Sequence, residues 1–157
     1  MYRTSDEKDT FAFGEALGKH LTRGDTVLLY GDLGAGKSVL ARGCASALGV
    51  KAQMASPTFT LMQPYKGTEI PVYHFDLYRL SGEDELYYSG LEEHIAGDGV
   101  ALIEWPQQGD VCPEERLEID MERCEGDSEK RKIDVNAVGM SGREPEIAVS
   151  LAPWRVK

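Results

Sequence analysis

Eight consecutive residues, Gly31-Asp32-Leu33-Gly34-Ala35-Gly36-Lys37-Ser38, match the pattern GxxxxGK[ST] in full. Each part of it serves phosphate chemistry. The glycines let backbone N–H groups converge on phosphate oxygens without Cβ clashes. A helix beginning here aims its positive N-terminal end at the same anion. Lys37 can bridge terminal phosphates, and the Ser38 hydroxyl can hold a magnesium ion. The rival dinucleotide-binding pattern GxGxxG does not fit: started at Gly34, it requires glycine where Val39 stands. No Asn-Lys-x-Asp segment of the guanine-reading type occurs, so ATP is the nucleotide expected.

Two carboxylates have the form needed to complete such a site, Asp76 after VYHF and Glu104 after VALI. In phosphate-loop enzymes an acidic residue at the end of a neighbouring strand completes the magnesium shell. A second can position or deprotonate an attacking water. The sequence leaves these two jobs unassigned between Asp76 and Glu104, and a strand-terminal carboxylate can also do no more than cap the next helix. Thr58 and Thr60 lie in a loop from which a hydroxyl could reach magnesium or the γ-phosphate, or merely bond local backbone. His74 shares a strand face with Asp76 and reads as a hydrogen-bonded core histidine rather than a catalytic one. No His, Cys and Asp spacing suggests zinc.

These residues need elements to hold them. Thr26–Tyr30 (TVLLY) is a continuously apolar run, as expected of a central strand covered on both faces. A helix over about Lys37–Leu48 follows the glycine-rich turn and stops at Gly49. Upstream, Ala12, Phe13, Ala16, Leu17 and Leu21 recur at three- and four-residue spacing, predicting a helix over roughly Ser5–Thr22, with Thr4-x-x-Glu7 as capping box. Downstream, strands are expected from about Thr58–Met62, at Val72–Phe75 and at Val100–Ile103, with an acidic helix over Ser81–Ala96 between the last two. Pro64 and Lys66-Gly67 read as a connection. Leu117–Met121, Ile133–Val138 and Ile147–Leu151 alternate as strands do. The order predicts an α/β fold, a P-loop NTPase-like three-layer sandwich whose central mixed sheet is flanked by helices, as one domain over residues 1–157.

Composition narrows the partners. Of 157 residues, 27 are acidic and 17 basic, a formal net charge of −10, which opposes electrostatic binding to phosphate backbones. No apolar run approaches the roughly 20 residues that span a bilayer, and the polar start of the sequence is unlike a signal or transit peptide. Three scattered cysteines, Cys44, Cys112 and Cys124, indicate free thiols rather than a disulfide framework. A cytoplasmic protein with no membrane partner is expected.

Gly31–Ser38, Ser56–Thr60 (SPTFT), His74–Leu80 (HFDLYRL) and Glu104–Gln108 (EWPQQ) occur in an order and spacing that resemble the TsaE family, closely over about Glu7–Gly109 and loosely beyond. The resemblance implies a magnesium-dependent ATPase that works with TsaB and TsaD in making threonylcarbamoyladenosine in tRNA. It implies that Leu33, Gly34, Ala35, Gly36, Lys37, Ser38 and Val39 cradle the phosphates and that Ser38 and Glu104 bind magnesium. Ser38 stands where many members carry threonine and keeps the hydroxyl. Asp76 becomes the second functional carboxylate, Thr58 part of a switch-like loop, and Trp105 the aromatic beside the glutamate. Glu7 and a residue around Ser128–Lys132, best represented by Arg131, would approach the base or ribose. Slow hydrolysis in isolation and no strong direct binding of tRNA are expected. The alternatives are a small-molecule P-loop kinase and a nucleotide-dependent binding module with vestigial hydrolysis.

Overall fold

The computed structural model describes residues 1–57 and 59–157, with the backbone alone at residue 83. Among the described residues, seven strands form one mixed sheet: β1 (Tyr2–Thr4), β2 (Thr26–Tyr30), β3 (Met62–Lys66), β4 (Pro71–Asp76), β5 (Val100–Glu104), β6 (Arg116–Cys124) and β7 (Asp127–Val138). Their order is β1-β7-β6-β2-β5-β4-β3. The pairs β2–β5, β2–β6 and β4–β5 are parallel, whereas β1–β7, β6–β7 and β3–β4 are antiparallel. The apolar run TVLLY thus lies near the middle of the sheet, and Val27, Leu28 and Leu29 are fully buried, as a strand covered on both faces requires.

Helices α1 (Glu7–Gly18) and α2 (Lys37–Ala47) cover one face, packing Phe13, Leu17, Leu40 and Cys44 against Val27, Leu29 and Leu102. Helix α4 (Glu144–Ser150) joins this layer through Ile147 and Leu151. The opposite face is covered by α3 (Glu83–Ser89) and the loops around it, with Leu77, Leu80 and Leu86 against Leu28, Phe75 and Ile103. The expected sandwich of helix, sheet and helix layers is what forms. The three cysteines are free. Among the described residues no helix is long and apolar enough to cross a membrane.

Several boundaries differ from the sequence reading. Ile147–Ser150 belongs to helix α4, with Leu151 as its C-cap, not to a strand: Val149 is 75% exposed, whereas Ile147 and Leu151 are buried, the four-residue spacing of a helix face. The first helix is shorter than Ser5–Thr22, and Thr4 does not cap it. Asp6 is the N-cap and accepts from the Asp9 amide at 2.8 Å, while the Asp9 carboxylate accepts from the Ser5 amide. The Thr4 hydroxyl instead meets that of Thr10 at 2.7 Å. The acidic helix expected over Ser81–Ala96 ends at Ser89, because Gly90 turns left-handed at φ 74°, and a single 3-10 turn, Leu91–His94, follows. The strand expected from about Thr58 begins, among the described residues, only at Met62, and Pro64, read as part of a connection, lies within it. Because β3 is at the sheet edge, a missing N–H there costs no ladder bond.

Candidate nucleotide site

The site is built where β2, β4 and β5 end beside the start of α2. The turn from β2 into α2 needs three left-handed glycines, Gly31, Gly34 and Gly36, with φ of 145°, 77° and 100°. A Cβ at Gly31 would meet the Met121 carbonyl at 2.6 Å, so both conformation and space demand glycine. Parallel pairing of β4 with β5 sets Asp76 directly opposite Glu104. Both carboxylates are buried, Glu104 at 4% exposure and Asp76 at 9%.

Each carboxylate is aimed by hydrogen-bond donors. The Ser38 hydroxyl, in the first turn of α2, lies 2.9 and 3.0 Å from the two oxygens of Glu104. The buried ring of His74 holds Glu104 Oε2 through Nε2 at 2.7 Å. Asp76 accepts from the Ser56 hydroxyl at 3.0 Å and from the Tyr78 amide at 3.1 Å. These side chains form an all-oxygen face of one hydroxyl and two carboxylates at the phosphate loop. That set suits a hard cation such as Mg2+, which takes one or two carboxylates beside phosphate and water.

Lys37 is folded back on its own loop. Its Nζ donates to the Gly31 carbonyl and, at 2.9 Å, to that of Asp32, and it lies 4.3 Å from the centre of the Trp105 ring. Burial pushes its ammonium below the usual lysine range, against the opposing pull of the Glu104, Asp76 and Asp32 carboxylates. Trp105 takes a left-handed backbone, φ 57°, which turns its ring over Lys37 and against Tyr78 at a centroid distance of 4.9 Å. Two arginines of the β6–β7 hairpin reach the loop from the other side. Arg131 donates to the carbonyls of Ala35 at 2.9 Å and Gly34 at 3.2 Å, and Arg123 to Gly34 at 3.2 Å.

A family model described as threonylcarbamoyl adenosine biosynthesis protein TsaE matches residues 4–133. The chain belongs to the TsaE family. It is 40% identical over 139 residues to the tRNA threonylcarbamoyladenosine biosynthesis protein TsaE of Bacillus subtilis, covering 88% of this chain and 85% of that protein. It is 37% identical over 142 residues to the protein of the same name from Streptomyces coelicolor, covering 87% and 95%. The crystal structure of Bacillus subtilis YdiB superposes with a TM-score of 0.76 at 34% identity, covering 97% of this chain and 93% of that one.

In this TsaE-family chain the sequence-predicted site residues converge. Leu33, Gly34, Ala35, Gly36, Lys37, Ser38 and Val39 line one cleft of about 530 Å³. Asp76, Glu104 and Trp105 close one side of that cleft, and Glu7 and Arg131 stand at the other. Glu7 is exposed and pairs with Arg42 at 3.5 Å. Thr58 lies outside the described residues. Sequence reasoning gave no role to Ser56, Tyr78 or Thr10, which also line the cleft, nor to Arg123. Ser56 and Tyr78 could have been found from their positions inside the SPTFT and HFDLYRL segments. Arg123 carries no local signal. Arg79 also lines the cleft, its guanidinium 4.5 Å from the centre of the Phe59 ring. His74 is the hydrogen-bonded core residue expected, but its partner is Glu104 itself.

Proposed function

We propose that this chain binds ATP with Mg2+ and hydrolyses it slowly, supporting TsaB and TsaD in the threonylcarbamoyladenosine modification of tRNA. The observation that carries the reading is the Ser38 hydroxyl within hydrogen-bond distance of the buried Glu104 carboxylate, in the cleft floored by the phosphate loop. Ser38 and Glu104 would hold the magnesium ion, which when bound supplies positive charge to the β- and γ-phosphate oxygens. The loop amides and Lys37 bind and orient the phosphates. Asp76, held by Ser56 and the Tyr78 amide, is placed to orient an attacking water. Arg131 and Glu7 flank the opposite wall, where the base and ribose would lie.

Slow turnover in isolation follows from Lys37, whose ammonium must leave two loop carbonyls and the Trp105 face before it can meet a phosphate. A partner that shifts Trp105 would ease that exchange. The names carried by the relatives supply the pathway, and the net charge of −10 suits a subunit that leaves the RNA to others.

The test is ATP turnover by the purified chain, alone and with TsaB and TsaD. Weak activity that rises when the pair is added, and that falls roughly a hundredfold or more in Lys37→Ala, is expected. Full activity without a partner response, or wild-type turnover in Lys37→Ala, refutes the reading. Salt-sensitive binding of tRNA by the isolated chain would refute the division of labour.

A further inference from the structure

His74 is 1% exposed, and its ring makes one hydrogen bond, to Glu104. Its Nδ1 is buried with no partner among the described residues. A buried polar atom left unpaired costs free energy, so a position whose task was only to fill the core would be better served by leucine or phenylalanine. The ring contributes aim instead. In the β4–β5 register His74 lies opposite Leu102, two residues before Asp76 on its own strand and two before Glu104 on the next. Its side chain therefore shares a sheet face with both carboxylates, one step back from the cleft.

The carboxylate accepts, so Nε2 carries the hydrogen and points it at Oε2. The Ser38 hydroxyl sits between the two oxygens, 2.9 Å from Oε1 and 3.0 Å from Oε2. Oε2 is thus shared between the ring and Ser38, and the ring fixes it so that Oε1 of this flexible side chain is left to the Ser38 hydroxyl. We infer that His74 is a positioning residue, whose Nε2–H locks Glu104 in the rotamer that presents Oε1 beside the Ser38 hydroxyl for a divalent cation. The inference rests on Ser38 and Glu104 being the metal-holding pair. A residue in this relation to a ligand characteristically alters metal affinity about 10- to 100-fold when it is lost.

Mn2+ is the probe, titrated by the electron spin resonance of the free ion into protein holding a non-hydrolysable ATP analogue. His74→Leu removes the donor and keeps an apolar side chain. It is expected to weaken Mn2+ binding about tenfold or more, while analogue affinity measured in EDTA stays at the wild-type level. His74→Gln, whose amide nitrogen can reach where Nε2 lies, is expected to recover most of the loss. If the leucine variant does not fold, glutamine is compared with His74→Asn, whose shorter amide stops short of Glu104 and is expected to bind Mn2+ as weakly. Mn2+ affinity equal to wild type in the leucine variant, or in asparagine where leucine fails, overturns the inference. So does glutamine losing as much as leucine or asparagine. Wild-type protein that binds the analogue but no Mn2+ overturns the metal-holding pair as well, a result distinct from a wild type that binds tightly and a variant that equals it.

Discussion

Helices α1 and α2 approach so closely that their backbones touch, and this sets the most demanding test of the structure. A Cβ built on Gly43 would lie 2.2 Å from the Phe11 carbonyl oxygen, one on Gly14 2.3 Å from that of Leu40, and one on Gly18 2.6 Å from that of Cys44. Two effects of Gly43→Ala oppose each other. Alanine favours a helix interior over glycine by about 1 kcal/mol. Against this, the added methyl meets backbone carbonyl, not the end of a flexible side chain, so the helices must part by about 1 Å in a close-packed layer. Overpacking of this kind costs about 3 kcal/mol, the upper end of the usual range. The net expectation is a loss of about 2 kcal/mol, which in a chain of this size lowers the melting temperature by about 4–8 °C. Calorimetry or urea unfolding measures it, with Ser46→Ala on the exposed side of α2 as the control that shows the propensity gain alone. Because α2 also carries Lys37 and Ser38, ATP turnover should fall with stability. Adding Gly14→Ala should cost less than its single effect, since Gly14 Cα lies 3.0 Å from the Cβ built on Gly43 and the first substitution already separates the helices. A Gly43→Ala protein as stable as wild type, or more so, would refute the helix packing and with it the placement of the loop.

Lys37→Met should abolish tight ATP binding yet raise the melting temperature of the nucleotide-free protein at neutral pH, because it removes a buried ammonium. The sign follows from the lowered folded-state pKa: between that value and the ordinary lysine value near 10.5 the unfolded chain binds more protons, so stability rises with pH through this window and the cost is fully present below it. Thermal melts from neutral pH to about pH 10.5 should show that rise flattened in Lys37→Met, and parallel curves would count against it. Arg131→Ala releases the Ala35 carbonyl of the phosphate loop, and Arg123→Ala removes one of the two arginines on the Gly34 carbonyl; discounted for exposure, about 1 kcal/mol and hence about fivefold in ATP affinity is expected for each. Calorimetric titration with ATP measures this, and unchanged affinity in both variants would remove the clamp from the account.

Much of the frame was legible because its signals are local. The turn at Gly31–Gly36 is specified by residues that alone tolerate positive φ, and TVLLY and VALI are apolar runs too continuous for a surface strand. The readings that failed are those where a local pattern fits two structures. Ile147, Val149 and Leu151 alternate like a strand, but Ile147 and Leu151 also stand one helical turn apart, and only the core beneath α4 selects between them. The packing face of α1 was read from Phe13, Leu17 and alanines, yet Gly14 and Gly18 lie in the contact, because glycine carries no hydrophobic signal and acts by letting backbones approach.

The sequence by itself determined that a phosphate loop joins a buried strand to a helix, and that acidic residues end two other apolar runs. Tertiary structure decided what those acidic residues meet. Parallel pairing of β4 with β5 makes Asp76 and Glu104 neighbours across 28 residues and turns His74, a core residue by its type, onto Glu104. The β6–β7 hairpin brings Arg131 to a carbonyl 97 residues away. Backbone conformation is dictated by neighbours in the chain and can be read there. Which side chains share a cleft is dictated by sheet order and register, which are fixed only when the whole core packs.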